Sequence, residues 1–99
     1  MNVTWTDNAV SDLQAIRATI GRHSEQYALG MVRRLFERVE ILGEHPRIGS
    51  VVPEFEIDDI RELFEQPYRI IYRILPSRID VIAVIHGSRQ LRRSLIEGR

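Results

Sequence analysis

The sequence contains neither lysine nor cysteine, and each absence removes a class of chemistry. All 14 basic residues are arginine, which keeps its proton, so any catalysis would have to proceed without a lysine base. Without cysteine there is no disulfide framework and no thiolate metal site, which is compatible with a reducing cytosol. No stretch approaches the roughly 20 apolar residues of a membrane span, and the N-terminus lacks a signal-peptide pattern. We therefore expect a soluble cytoplasmic protein that needs no metal or cofactor.

The net charge of zero conceals a strong asymmetry between the two parts of the chain. Residues 1–66 contain seven arginines against twelve acidic residues, whereas residues 67–99 contain seven arginines against two. A chain with no net positive charge is a poor general binder of nucleic acid, although a local basic face can exist. The 99 residues are expected to form one domain, spanning 1–99, with a modest core.

Two alternating runs, residues 67–75 and 79–86, predict a β-hairpin joined at Pro76-Ser77. A two-residue loop would pair residue 75 with residue 78 and set the register of the remaining positions. Tyr72 then lies opposite Val81, and Ile70 lies opposite Ala83, on a face that is wholly apolar. This face is predicted to form the core of the protein, because a register shifted by one residue would bring an acid onto it.

The other face of the predicted hairpin carries polar residues. Arg73 lies opposite Asp80, and we interpret them as a structural ion pair that fixes the register, worth about 0.2–1 kcal/mol. Arg69 lies opposite Val84 on the same face, and His86 lies at its rim. This face is therefore the predicted functional surface.

The rest of the chain predicts two helices and two further strands. Residues 2–6 resemble a short strand, after which Thr6 or Asp7 caps a helix that stops at Gly21. Ser24 opens a second helix that ends near residue 43, and the short link makes the two helices an antiparallel hairpin. Residues 46–59 are predicted to be irregular, with the acidic residues 54–59 in a solvated loop. Residues 60–64 form a strand, and residues 90–99 form a polar tail with one or two helical turns.

The predicted order is β-α-α-β-β-β, an α+β fold in which the helix hairpin packs on one face of a small, mainly antiparallel sheet. Four motifs in this order resemble the RelE/ParE superfamily of toxins from bacterial type II toxin–antitoxin pairs. They are Pro46-Arg47-Ile48-Gly49, Arg61-Glu62-Leu63, Pro67-Tyr68-Arg69-Ile70-Ile71-Tyr72 and Val84-Ile85-His86-Gly87-Ser88-Arg89. The resemblance covers nearly the whole chain, and the first motif fits the ParE-like branch. It implies a toxin that a small cognate antitoxin wraps and neutralises, with operator DNA bound only through the antitoxin.

The superfamily divides by mechanism. RelE-like members cleave mRNA in the ribosomal A site, whereas ParE-like members poison DNA gyrase. By the resemblance, Arg69 and Arg89 match two arginines of the RelE-like site, and Arg61 lies in the strand where RelE places its two lysines. Both of those lysines and the C-terminal tyrosine of RelE are missing from this sequence.

The missing residues bear on the chemistry that the site can perform. Attack of a 2′-OH on the adjacent phosphate needs a base, an acid and cations that stabilise the transition state. Arg61, Arg69 and Arg89 supply cations only, because arginine is not an ordinary base. His86 is the one group near that face that titrates close to neutral pH. If the protein is a nuclease, these four residues are its catalytic set.

We interpret the chain instead as a ParE-like toxin that inhibits gyrase by binding and is not an enzyme. In this interpretation Arg61, Arg69 and Arg89 contact the antitoxin. A RelE-like, ribosome-dependent mRNA endonuclease is the first alternative. The second is a non-toxic family member that only regulates transcription together with its antitoxin.

Overall fold

The computed structural model describes residues 1–97, which form two helices packed on one face of a five-stranded sheet. The helices are α1 (Asp7–Gly21) and α2 (Glu25–Glu40), and α2 continues into a 3-10 turn at Ile41–Gly43. Thr6 caps α1, since its hydroxyl accepts a hydrogen bond from the Ala9 amide at 3.2 Å. Ser24 caps α2 in the same way, accepting from the Tyr27 amide at 3.1 Å. Both predicted helix starts are confirmed.

The sheet has the strand order β1-β5-β4-β3-β2. Its strands are β1 (Asn2–Trp5), β2 (Ser50–Val51), β3 (Ile60–Glu65), β4 (Tyr68–Ile74) and β5 (Arg78–His86). β1 runs parallel to β5, and the other three pairings are antiparallel. The predicted α+β fold with a mainly antiparallel sheet is therefore confirmed. The two-residue strand β2 is an addition, because the segment that contains it was predicted to be irregular.

The main core lies between the sheet and the helices. Ile70 and Tyr72 of β4 face the helices, as the alternation predicts, and both are fully buried. They pack with Val81 of β5 and with the inner stripe of α2, which consists of Met31, Leu35 and Val39. The members of that stripe are four residues apart, which places them on one side of the helix.

The predicted register of the β4–β5 hairpin is correct near the turn and wrong beyond it. Tyr72 lies opposite Val81 and Arg73 opposite Asp80, but Ile71 lies opposite Ala83 because of a β-bulge. The bulge puts one extra residue in β5, so Ala83 faces away from the helices instead of toward them. From this point onward every predicted pairing is displaced by one residue.

The second face of the sheet also contains a core, which the sequence interpretation missed. Its buried members are Val52, Phe55, Ile60, Ile71, Ile82 and Ala83. Leu91, Leu95 and Ile96 of the C-terminal tail pack against this cluster, and a 3-10 turn spans Arg93–Leu95. The predicted helical turn in the tail is thus confirmed, although residues 98 and 99 of the predicted tail lie outside the described residues. The face that was predicted to be a polar functional surface is largely covered by chain.

Candidate functional site

Arg69 lies on the second face of the sheet and is enclosed by two carboxylates. Its Nε donates to Glu62 Oε1 at 2.7 Å, and Nη1 and Nη2 donate to the two oxygens of Glu54 at 2.8 and 2.9 Å. Nη1 also donates to the carbonyl oxygen of Arg89 at 3.1 Å. This cluster of Arg69, Glu54 and Glu62 is largely buried, with 6%, 13% and 7% of the respective side chains exposed, and it lines a groove of about 460 Å³. We refer to it as the Arg69 cluster.

The electrostatics of the Arg69 cluster favour the charged states of Glu54 and Arg69. The Arg69 guanidinium beside Glu54 lowers the pKa of that carboxyl to about 2, against the opposing effect of burial. The same pairing raises the pKa of Arg69. One guanidinium between two carboxylates leaves a net negative cluster, so Arg69 does not present an open positive charge. The prediction that residues 54–59 form a solvated loop is wrong for Glu54, which pairs with Arg69 and accepts from the Leu91 amide at 3.1 Å.

Arg61 is also held by its own chain. Its Nη1 donates to the carbonyl oxygen of Gly49 at 2.9 Å, and its Nη2 pairs with Asp58 at 2.9 Å. Its Nε donates to the backbone carbonyl oxygen of Asp58 at the same distance. With 15% of its side chain exposed, Arg61 acts as a brace between β3 and the loop before it.

His86 does not lie on the face that was predicted for it. It is paired with Tyr68, and the two rings meet edge to face with centroids 6.2 Å apart. Tyr68 packs against the helix-side core, so His86 stands at the rim of that side, on the opposite face of the sheet from Arg69. The bulge in β5 is the physical reason, because it reverses the side on which every later residue points. His86 Nδ1 accepts from the Ser88 amide at 3.2 Å and lies 2.8 Å from the Ser88 hydroxyl.

Arg89 differs from Arg61 and Arg69 because it is exposed. Its charge acts on the carboxyl group of Asp12, where it opposes the rise in pKa that burial causes. The four candidate residues therefore lie in three environments. Arg61 and Arg69 are paired with acids of this chain, His86 stands at the rim of the helix side of the sheet, and Arg89 is exposed. Arg73 and Asp80 do lie opposite each other, as predicted. The Asp80 carboxylate accepts from Arg78 Nε at 2.8 Å and from the Thr4 hydroxyl at 2.6 Å. Their role as an ion pair remains a prediction.

Within residues 1–97 no group of three or more His, Cys, Asp or Glu side chains is arranged to hold a metal ion. In the same part of the chain no helix is long and apolar enough to cross a membrane.

The motif Pro46-Arg47-Ile48-Gly49 has a structural role that sequence reasoning did not assign. The buried Tyr72 hydroxyl bridges its two ends, donating to Pro46 O at 2.7 Å and accepting from Gly49 N at 3.0 Å. Arg47 binds Asp58 and Asp59 across the loop. Ile48, between these anchors, is 50% exposed and lines a largely apolar groove of about 950 Å³. The resemblance was the only signal in the sequence that singled out this motif.

Comparison with known proteins agrees with this architecture. A family model described as "ParE toxin of type II toxin-antitoxin system, parDE" matches residues 3–91. A curated relative from Caulobacter vibrioides, named Toxin RelE2, is 33% identical over 88 residues, covering 88% of this chain and 96% of the relative. A solved structure described as the chromosomal ParDE TA system from P. aeruginosa superposes with a TM-score of 0.73 at 26% identity. That match covers 87% of this chain and 95% of the other.

The family match spans most of the chain and includes both helices and all five strands apart from the first residue of β1. The alignment with the Caulobacter relative spans 96% of that protein, so the resemblance is not confined to a fragment. The chain belongs to the ParE toxin family within the RelE/ParE superfamily, and it is the toxin component of a type II toxin–antitoxin system.

Proposed function

We propose that this toxin inhibits DNA gyrase by binding to it, without cleaving a phosphodiester, and that a cognate antitoxin neutralises it. The observation that carries the proposal is the enclosure of Arg69 by Glu54 and Glu62. A nuclease needs cations placed where negative charge develops on the phosphate. Two carboxylates within 3 Å of the guanidinium already occupy those donors and would repel an incoming phosphate.

The groups needed for proton transfer are also separated from Arg69. His86 stands on the opposite face of the sheet, and the chain contains no lysine that could replace it. A general acid or base has to lie within hydrogen-bond reach of the proton it transfers. The arrangement therefore favours a toxin that acts through its surface.

The partners follow from the family rather than from a bound molecule. The family description and the P. aeruginosa structure both name a toxin–antitoxin pair, and this supports a cognate antitoxin for the present chain. We propose that the antitoxin also provides any contact with operator DNA, because the toxin has no net positive charge. Since gyrase works on the bacterial chromosome, the proposed site of action is the cytoplasm.

The experiment compares the two mechanisms with one preparation of the purified protein. In the first reaction the toxin is added to gyrase and relaxed plasmid, and supercoiling and double-strand breaks are followed. In the second it is added to a reconstituted translation system, and mRNA cleavage is mapped by primer extension. We expect inhibition of supercoiling with stabilised breaks, and intact mRNA.

The two alternatives correspond to the other outcomes. Codon-periodic mRNA cleavage with normal supercoiling would establish the RelE-like mechanism, which the name of the Caulobacter relative favours. If the protein is inactive in both reactions, and its expression without antitoxin leaves growth unchanged, the non-toxic regulatory role would replace the proposal.

A further inference from the structure

The backbone of β1 presents hydrogen-bonding groups along its outer edge. β1 is a terminal strand of the sheet and pairs in parallel with β5 on its inner side. In a parallel pair every second residue of a strand bonds to a given neighbour. The Thr6 amide, directly after β1, donates to Val81 O at 3.0 Å, so the backbone groups of Thr4 face β5 in the same way. The amide and carbonyl groups of Val3 and Trp5 therefore point outward, away from β5.

The neighbouring edge of β5 is capped by side chains. β1 pairs with β5 as far as Val81, and β5 continues beyond that residue. Asn8 Nδ2 donates to Ile82 O at 2.8 Å, and the Asp12 carboxylate accepts from Val84 N at 2.9 Å. Two side chains of α1 thus satisfy the strand edge in place of a strand.

The opposite edge of the sheet is protected in two ways. Its terminal strand β2 is two residues long, and a very short edge strand offers little to an incoming chain. Where β3 extends beyond β2, Arg38 Nε donates to Phe64 O at 3.1 Å. A charged side chain at this edge also discourages pairing with another strand.

β1 has neither form of protection. Within residues 1–97 no side chain bonds to the outward backbone groups of Val3 or Trp5, and the Thr4 hydroxyl bonds inward, to β5. The four residues of β1 include no charge, proline or glycine, and most of them favour extended backbone. The Phe36 ring lies 4.8 Å from that of Trp5 and is 46% exposed. An open edge of this kind is a template for another strand.

We propose that β1 pairs in antiparallel orientation with β1 of a second copy of this chain, about a two-fold axis that passes beside Thr4. Val3 then lies opposite Trp5 of the second copy, and the two residues exchange both of their amide-to-carbonyl bonds. The two-fold axis repeats this pair, so the same surface serves on both copies and the two sheets become continuous.

The choice of a second copy rests on how well β1 matches itself. In this register the cross-strand pairs are Val3 with Trp5, on the helix side, and Thr4 with Thr4, on the other side. Pairs of a β-branched with an aromatic residue, and of two threonines, are among those that stabilise antiparallel strands. β1 carries no charge that would select an oppositely charged partner or repel its own copy. Because the strand is short, we expect a weak dimer that forms with rising concentration.

The first measurement is sedimentation velocity of the full-length wild type at loading concentrations from about 5 to about 500 μM, a range in which dimers of micromolar affinity assemble. Val3→Pro removes the outward amide of β1 and leaves the bonds to β5 intact, because proline is tolerated where the N–H of an edge strand faces solvent. Each dimer loses two hydrogen bonds, so its dissociation constant should rise at least roughly tenfold.

The matched control places the same substitution on the other terminal strand. The Val52 amide donates to Ile60 O at 3.1 Å, so the amide of the preceding residue, Val51, points outward from β2. Val51 is partly buried, as Val3 is. Val51→Pro should therefore keep a dissociation constant within about threefold of the wild type, because the site lies on the far edge of the sheet. Circular dichroism verifies that both variants are folded.

The second measurement needs no variant. Amide hydrogen exchange followed by NMR should slow at Val3 and Trp5 as the protein concentration rises, because their amides become hydrogen-bonded only in the dimer. The Thr4 amide faces β5 in both states, so its exchange should not depend on concentration.

Three results would overturn the inference. The first is a wild type that stays monomeric across the whole concentration range. The second is self-association that Val3→Pro and Val51→Pro weaken equally, or that leaves exchange at Val3 and Trp5 unchanged, since either result places the contact on another surface. In the third, the toxin alone is monomeric and the two amides become protected only in its antitoxin complex; the edge then accepts a strand of another protein instead of a second copy.

Discussion

The hydroxyl group of Tyr72 accepts a hydrogen bond of 3.0 Å from the amide of Gly49. The same hydroxyl donates to Pro46 O at 2.7 Å, and the residue is fully buried beneath the helices. Burial raises the pKa of Tyr72, so the phenol stays protonated and keeps its donor. A buried hydroxyl without partners would be destabilising, and these two bonds compensate for its loss of water. Tyr72 thereby joins the centre of the sheet to the loop that presents Ile48.

Replacing Tyr72 with phenylalanine removes both bonds without changing the shape of the ring. The Gly49 amide is buried and would be left without a partner, so we expect a loss of about 1–3 kcal/mol in the free energy of unfolding. Urea denaturation measures this loss. Tyr27→Phe, on the exposed surface of α2, is the matched control and should change stability by less than about 0.5 kcal/mol. Equal effects of the two substitutions would contradict the role given to the Tyr72 hydroxyl.

Gly49 and Gly30 should respond in opposite directions to alanine. A Cβ at Gly49 would lie 2.4 Å from the carbonyl oxygen of Glu62 and 2.7 Å from the Tyr72 hydroxyl, so the backbone would have to shift. We expect Gly49→Ala to cost about 1–3 kcal/mol or more. At Gly30, within α2, the nearest atom is the flexible end of Arg34 at 3.6 Å, and alanine should stabilise the helix by about 0.5–1 kcal/mol. Thermal melts of the two variants would disprove this reasoning if both shifted in the same direction.

The elements of the fold could be predicted because their signals are local. The caps at Thr6 and Ser24 and the alternation in β4 each depend on a few neighbouring residues. The bulge in β5 could not be predicted, because residues 81–85 are all apolar and such a run is compatible with either face. Because the bulge was not foreseen, the predicted side of the sheet was wrong for both Ala83 and His86.

The candidate site was harder to predict because its charges pair across long stretches of chain. Arg69 pairs with Glu54, which is 15 residues away, and with Glu62, which is seven residues away. An acid in an irregular segment gives no local sign that it will turn inward. The resemblance singled out Arg61, Arg69 and Arg89, whose role in binding stays a prediction. No local feature of the sequence indicated that Arg69 pairs with two carboxylates. Which surface binds the antitoxin remains a prediction.

We expect the free energy of unfolding to fall in acid, because Glu54 of the Arg69 cluster loses its charge there. The pKa of Glu54 is lowered in the folded protein, so its contribution is present above the ordinary value of 4.5 and is lost as the pH falls toward about 2. Glu54→Gln should reduce the free energy of unfolding at pH 7 by about 1.5–3 kcal/mol and flatten its decline between pH 5 and pH 2. Urea titrations across this range measure both quantities.

Glu37→Gln is the matched control for the acid titration, because Glu37 is exposed on α2. Its pH curve should run parallel to that of the wild type. If the curves of Glu54→Gln and the wild type are parallel, Glu54 does not contribute to the acid dependence, and the pairing with Arg69 does not stabilise the fold.

His86 distinguishes the two mechanisms most directly. If the protein were a nuclease, His86 would be its proton-transfer group, and His86→Ala would lower activity by about 10²–10⁴-fold. The structure places this histidine against Tyr68, on the opposite face from Arg69, with Nδ1 bound to the Ser88 amide. We therefore expect His86→Ala to retain toxicity when it is expressed without antitoxin. His23→Ala, at an exposed position after α1, is the control for the effect of removing an imidazole.

Growth, DNA breaks and transcript cleavage should be followed together in the strains that express these variants. Retained toxicity with DNA breaks in both variants agrees with a protein that acts by binding. A folded His86→Ala variant that is harmless, with mRNA cleavage seen only for the wild type and His23→Ala, would instead establish acid–base chemistry at His86. That result would require the rim of the sheet to serve as an active site without the buried Arg69, because no ordinary side-chain rotation carries His86 to the opposite face.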